Sequence, residues 1–166
     1  LWCDEGKALA YRQFDYQDVP VKHPVGDFAR YWFDSRSDSG TPRINELDPS
    51  KLMRVVPWTM MLRAQADGHL HYELCGDSCS RTFGFSYEGM RFGEGLPSQA
   101  VRTRQREFEI ARSERRPLFS KTELPISGRE DTVVYRGVFP FLDIEGELEG
   151  IAVILAPVEE RLSALP

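Results

Sequence analysis

The stretch LHYELCGDSCSRTFGFSYEGMRF, residues 70–92, limits what this chain can fold into more than any other. Leu70, Tyr72 and Leu74 alternate with polar residues, the period of a strand, and Asp67-Gly68 just upstream is a strong hairpin signal. The alternation stops at Gly76 and the pattern turns helical at once. Gly84 is placed to stop one short helix and Ser86 to cap another. A hairpin that runs straight into short helices implies a sheet with helices packed on it.

The rest of the chain completes such a sheet. Residues 1–23 carry mixed charge and scattered aromatics without a period, and read as an irregular extension. Residues 24–36 read as a helix, because Phe28, Tyr31, Trp32 and Ser35 recur at three and four while Asp27, Arg30 and Asp34 face away. Asp48-Pro49 supplies an N-cap and a first-turn proline for a second short helix. Strands are expected over 58–64 and 70–76, short helices through about 92, and a longer helix over 97–113. Three more strands follow, at 118–126, 132–141 and 148–157, with turns at Ser127-Gly128 and Glu145-Gly146. The expected class is α+β: a five-stranded antiparallel sheet with short helices and one long helix on one face. The last strand places Ile151, Val153 and Leu155 on one side and Leu148, Ala152 and Ile154 on the other, so both faces of the sheet must be covered. The helix at 24–36 is the available cover for the second face. The divisions are an extension (1–23), flanking helices (24–56), the core (57–160) and a tail (161–166).

Composition narrows the classes of function. A chain of 166 residues with 41% hydrophobic content supports one core. A net charge of −5 argues against nucleic-acid binding, since the basic stretch 102–116 interleaves Glu107, Glu109 and Glu114 with its arginines and reads as a solvated helix face. Three cysteines without framework spacing, and no apolar run long enough to span a bilayer, fit a cytoplasmic protein with no membrane insertion. The chain begins at Leu1 rather than methionine, as an excised segment would, so the lack of a leader carries no weight.

The order strand, turn, strand, short helices closing on FGFS resembles a PAS sensory domain. HPVGDFARYWFDSR, TPRINELDPSKL, the strand ending LCGD, ERRPLF and VFPFLDIEGELEGI resemble successive signatures of a family of small, stand-alone bacterial PAS proteins, from about His23 to Val158. Tyr31-Trp32, Pro42-Arg43 followed by Asp48-Pro49, and Gly76 carry most of the likeness. The resemblance implies a cytoplasmic, noncatalytic sensor or adaptor. The chain departs from the family at Glu73, where arginine is favoured, and at Asp77, where threonine is.

Specific chemistries can be tested against the residues. His69, His71, Cys75 and Cys79 form a metal-like cluster, but His71 and Cys75 sit about 13 Å apart along an extended strand, too far to share an ion, and no metal is expected. Gly84-Phe85-Ser86-Tyr87-Glu88 lacks the last glycine of a nucleophile elbow, and the glycines at 84–95 are not followed by a phosphate-binding lysine. A flavin-adduct sensor of this fold needs a cysteine after the FGFS turn, and a haem sensor an axial histidine on the long helix. Residues 90–125 contain neither residue type, so no cofactor is expected, and no nucleophile, base and orienter stand at a plausible spacing, so no enzymatic activity is expected either.

The long helix is more suggestive. Val101, Phe108 and Ala111 line up toward the sheet, yet Arg104 and Gln105 interrupt the stripe. A guanidinium in an apolar pocket suits a small anionic organic ligand, with Arg104 as anchor and Tyr72, Phe108 and Tyr135 as walls. Signalling would then pass to a protein partner through noncovalent contact. A homodimer is expected through the aromatic edge of the first helix, formed by Phe28, Tyr31 and Trp32. The competing reading is a ligand-free protein–protein adaptor.

Overall fold

The computed structural model of the chain describes residues 10–36, 38 and 40–164. The parts of the extension at 1–9 and of the tail at 165–166 lie outside the described residues. Six strands, β1 (Tyr11–Phe14), β2 (Thr59–Ala64), β3 (Leu70–Cys75), β4 (Leu118–Glu123), β5 (Val133–Leu142) and β6 (Leu148–Pro157), form one antiparallel sheet in the order β1-β4-β5-β6-β2-β3. The sheet has one strand more than expected. The extra strand comes from the segment read as irregular: YRQF has no clear alternation, and its four residues pair only with β4, Tyr11 opposite Thr122 and Phe14 opposite Phe119.

Both faces of the sheet are covered. Helices α3 (Asp77–Phe83) and α4 (Ser98–Glu114) pack on one, where Cys79, Phe83, Phe108 and Ala111 meet Ile151, Val153 and Leu155. On the other, α1 (Pro24–Asp34) lays Val25, Phe28 and Trp32 against Phe139, Phe141, Ala152 and Ile154, beside the short α2 (Pro49–Leu52). The two-sided apolar pattern of β6 has its cause in this arrangement.

Local signals explain the joints. Asp48 caps α2, its side chain accepting from Ser50 N at 3.0 Å. Gly84 ends α3 at a φ of +86°, a left-handed conformation that costs glycine least. Gly76 is fixed by contact, because a Cβ there would lie 2.4 Å from the carbonyl oxygens of both Val56 and Pro57. No helix starts at Ser86; its hydroxyl accepts from Glu88 N at 3.2 Å and closes a turn.

The aromatic edge expected to meet a second copy is turned inward. Phe28 and Trp32 are buried, the indole N–H donates to Pro140 O at 3.0 Å, and the half-buried Tyr31 accepts at its hydroxyl from Asp48 N at 2.6 Å. The apolar stripe of α1 is used by the sheet beneath it, so it offers no pairing surface of the kind expected.

His23 caps α1 from a fully buried position. Its Nδ1 accepts from Val25 N (3.2 Å), so Nε2 carries the proton and donates to Pro157 O (2.9 Å). The ring is held neutral: burial lowers its pKa, only partly offset by the bond to Pro157. Below about pH 6.5 the unfolded chain therefore takes up a proton that the folded one refuses. His23's contribution is complete above that pH and falls away below it, at up to about 1.4 kcal/mol per pH unit until the lowered folded pKa is reached. Urea midpoints measured from pH 7.5 to pH 5 are expected to fall on the acid side, and His23→Asn, which keeps a capping side chain, should flatten that slope. An equal slope in both proteins would refute the assignment.

Candidate ligand site between the long helix and the sheet

The pleat of β5 decides what faces α4. Val134 and Val138 point to the α4 side, and Arg136 lies between them in the same phase. Phe139 and Phe141 point to the α1 side, with Tyr135 partly buried beside them. On α4, Ala100, Glu107, Phe108 and Ala111 are buried and Arg104 is half-buried, one stripe at helical spacing. The stripe thus sets two charged side chains of α4 against a charged side chain of the sheet.

Glu107 and Arg136 form an ion pair with 1% and 4% of their side chains exposed, the guanidinium donating to Glu107 Oε2. The other oxygen, Oε1, accepts from the Tyr11 hydroxyl at 2.8 Å. Phe108 backs the pair, with the Arg136 guanidinium 5.8 Å from its ring centroid and Phe92 packed on its other side. Burial first, then the charge of Arg104, lowers the Arg136 pKa to about 9, which still leaves it a cation at neutral pH. Across the β4–β5 ladder, opposite Arg136, the buried Ser120 hydroxyl has no hydrogen-bond partner among the described residues.

Arg104, one turn before Glu107, makes no hydrogen bond and no ion pair among the described residues. It shares two narrow clefts with Arg136. The outer one opens among Tyr11, Gln99, Thr103 and Thr122; the inner one runs beneath Tyr72, Tyr87, Met60 and Leu155. Each has room for a water-sized molecule. Two guanidiniums against one carboxylate leave the clefts with an excess of positive charge. Burial raises the pKa of both tyrosines, and Arg104's charge offsets this in part, so Tyr72 and Tyr87 carry neutral hydroxyls beside the cations.

The structure brings some of the expected site residues together and separates others. Tyr72 lines the inner cleft, its ring 5.0 Å from that of Tyr87, and Arg104 joins the two clefts. Phe108 is buried behind Arg136 as its support. Tyr135 is on the opposite face, against Phe14 (5.4 Å) and His23 (5.1 Å), so its expected place on the cavity wall is corrected: β5 is apolar on both faces, and its sequence alone does not fix which parity meets α4. Gln105 is exposed. Glu107, Arg136 and Tyr11 were not expected there. The arginine-rich helix pattern alone makes Glu107 part of a solvated face, yet a single arginine inside the apolar strand VVYRGVFPFL needs a buried counter-charge, which is the signal for Glu107. Among the described residues, no group of three His, Cys, Asp or Glu could hold a metal, and no helix is long and apolar enough to cross a membrane.

A family model described as PAS domain matches residues 21–131, two thirds of the chain. The chain belongs to the PAS domain family. Its fold agrees with the solved PAS domain of BvgS from Bordetella pertussis, at 25% identity and a TM-score of 0.50 over 69% of this chain and 90% of that one. A C-terminal domain from Streptococcus mutans is more distant, at 15% identity and a TM-score of 0.44 over 68% and 87%. No curated protein matches. As a PAS domain, the chain is a sensory or signalling module in general terms. The matched span contains Tyr72, Tyr87, Arg104 and Glu107, while Tyr11 and Arg136 lie outside it. The candidate site thus includes residues beyond the segment that matches the family model.

Proposed function

We propose that this PAS domain is a noncatalytic cytoplasmic sensor that binds a small organic anion, of the size of a short-chain carboxylate, and signals through protein contacts. One observation carries the reading: Arg104 stands half-buried without an ion-pair partner, beside a second, deeply buried arginine and over neutral tyrosine hydroxyls. A guanidinium facing a partly apolar cleft is a two-pronged donor site for a carboxylate. The clefts as they stand take a water-sized molecule, so a short carboxylate enters as the half-exposed Arg104 side chain moves aside.

Thermal unfolding in acetate, propionate and succinate, against chloride at equal ionic strength, tests the reading. At least one carboxylate is expected to raise the midpoint of the wild type. Arg104→Ala should abolish that rise and leave the unliganded midpoint within a few degrees, because an arginine without a partner contributes little to packing. Equal stabilisation of both proteins would refute the anchor role. A second reading, a ligand-free adaptor, is favoured by the exposed Met53 and Val56 beside an apolar cleft that includes Leu47, Leu52 and Met61. It gains ground if no carboxylate shifts the midpoint.

A further inference from the structure

The ion pair of the cavity is also the attachment point of the N-terminal strand. β1 is a four-residue edge strand with exposed side chains at Tyr11, Arg12 and Gln13, and only Phe14 is partly buried, against Phe119 and Tyr135. Its backbone bonds to β4 are continued by one more, from Glu123 N to Ala10 O at 3.2 Å. Short, exposed strands of this kind open locally at little cost. Against that, the Tyr11 hydroxyl reaches past β4 to a carboxylate that is 1% exposed, and its bond to Glu107 is charge-assisted. The same tyrosine walls the outer cleft together with Arg104 and Arg136.

We propose that β1 is the output element of the sensor and that Tyr11 is its latch, tying the docking of the N-terminal strand to the occupancy of the Arg104–Arg136 cleft. The direction of the signal rests on the anion-binding reading given above. Glu107 stays in a buried position because Arg136 attracts it. A ligand carboxylate held by both guanidiniums satisfies Arg136 and sets a like charge beside Glu107. A buried carboxylate that has lost its counter-charge is driven toward water, and the outer cleft that Tyr11 and Arg136 line beside it opens to solvent. Tyr11 then loses its acceptor, and β1 is left with a short edge ladder and the two ring contacts of Phe14. Ligand binding is thereby converted into release of β1, residues 11–14.

Hydrogen–deuterium exchange on the full chain tests this in two arms. Without ligand, Tyr11→Phe is expected to speed exchange at 11–14 and 119–122 by about tenfold and leave β5, β6 and α4 unchanged; unaltered exchange at 11–14 overturns the latch. In the second arm, acetate replaces chloride at constant ionic strength, and the Arg104 and Arg136 side-chain signals are followed by NMR. Wild type is expected to loosen at the same amides when those signals shift, and Tyr11→Phe to show no further change. Arginine shifts without loosening of β1 overturn the output role and leave the anion site standing. If neither arginine signal shifts in acetate, the small-carboxylate site and the output role both fail, while the first arm still decides whether Tyr11 holds the strand.

Discussion

Glu107→Ala is expected to destabilise the protein by about 3–5 kcal/mol, the usual cost of breaking a buried ion pair from one side. The change leaves the Arg136 guanidinium, with 4% of its side chain exposed, without a counter-charge in a face otherwise built from Val134, Val138 and Val153. The companion experiment gives the result its meaning. Replacing both partners, Glu107→Leu with Arg136→Met, should return stability to the wild-type level or above it, because two well-packed apolar side chains avoid the desolvation that the pair incurs. Urea unfolding of the three proteins decides the matter. A single variant as stable as wild type would show that the pair is solvated in solution; a double variant as unstable as the single one would show that the pair is irreplaceable for the fold. The expected pattern describes a pair that holds the fold when whole and yet is less stable than an apolar core of the same volume.

The second large effect lies on the opposite face. Trp32→Ala should cost about 3–5 kcal/mol, since it removes a side chain that is 1% exposed and packed against Phe139, and leaves the Pro140 carbonyl without its donor. Trp32→Phe separates the two contributions: it keeps most of the packing, loses the N–H bond and should cost about 1–2 kcal/mol. Equal losses for both variants would mean that the hydrogen bond, rather than the packing, holds α1 to the sheet.

What could be read from the sequence follows the range of the interactions involved. Helix α1 was legible because its stripe repeats within eleven residues, and the joint at Gly76 because an alternating strand ends there. The double coverage of the sheet followed from β6 alone. β1 was hidden because YRQF owes its strand conformation to its neighbour β4, more than a hundred positions along the chain. Glu107 and Arg136 were hidden for the same reason. A glutamate in an arginine-rich helix looks solvated, and an arginine in an apolar strand looks like an exception, until the fold sets the two against each other. Tyr135 was assigned to the wrong face because a strand apolar on both sides gives no phase; the phase is set by Arg136, whose partner is on α4. The half-buried position of Arg104 on the sheet-facing stripe was legible because it interrupts that stripe locally.

The stretch after α3 has an effect on how this sheet behaves in company. Residues 89–92 run along the outer side of β3, Tyr72 exchanging backbone bonds with Met90 and Gly89 while Phe92 N donates to Leu70 O. The rim that a hairpin would ordinarily present to other chains is therefore already occupied by the protein's own backbone. Strand-by-strand templating, the route by which unprotected sheets grow into aggregates, is blocked at that end. The opposite end, where β1 sits, is the place where release of a four-residue strand would uncover a new rim along β4. The sheet is thus sealed by its own backbone at one end and open at the other, where the rim belongs to β1 while that strand is docked and would belong to β4 if it left.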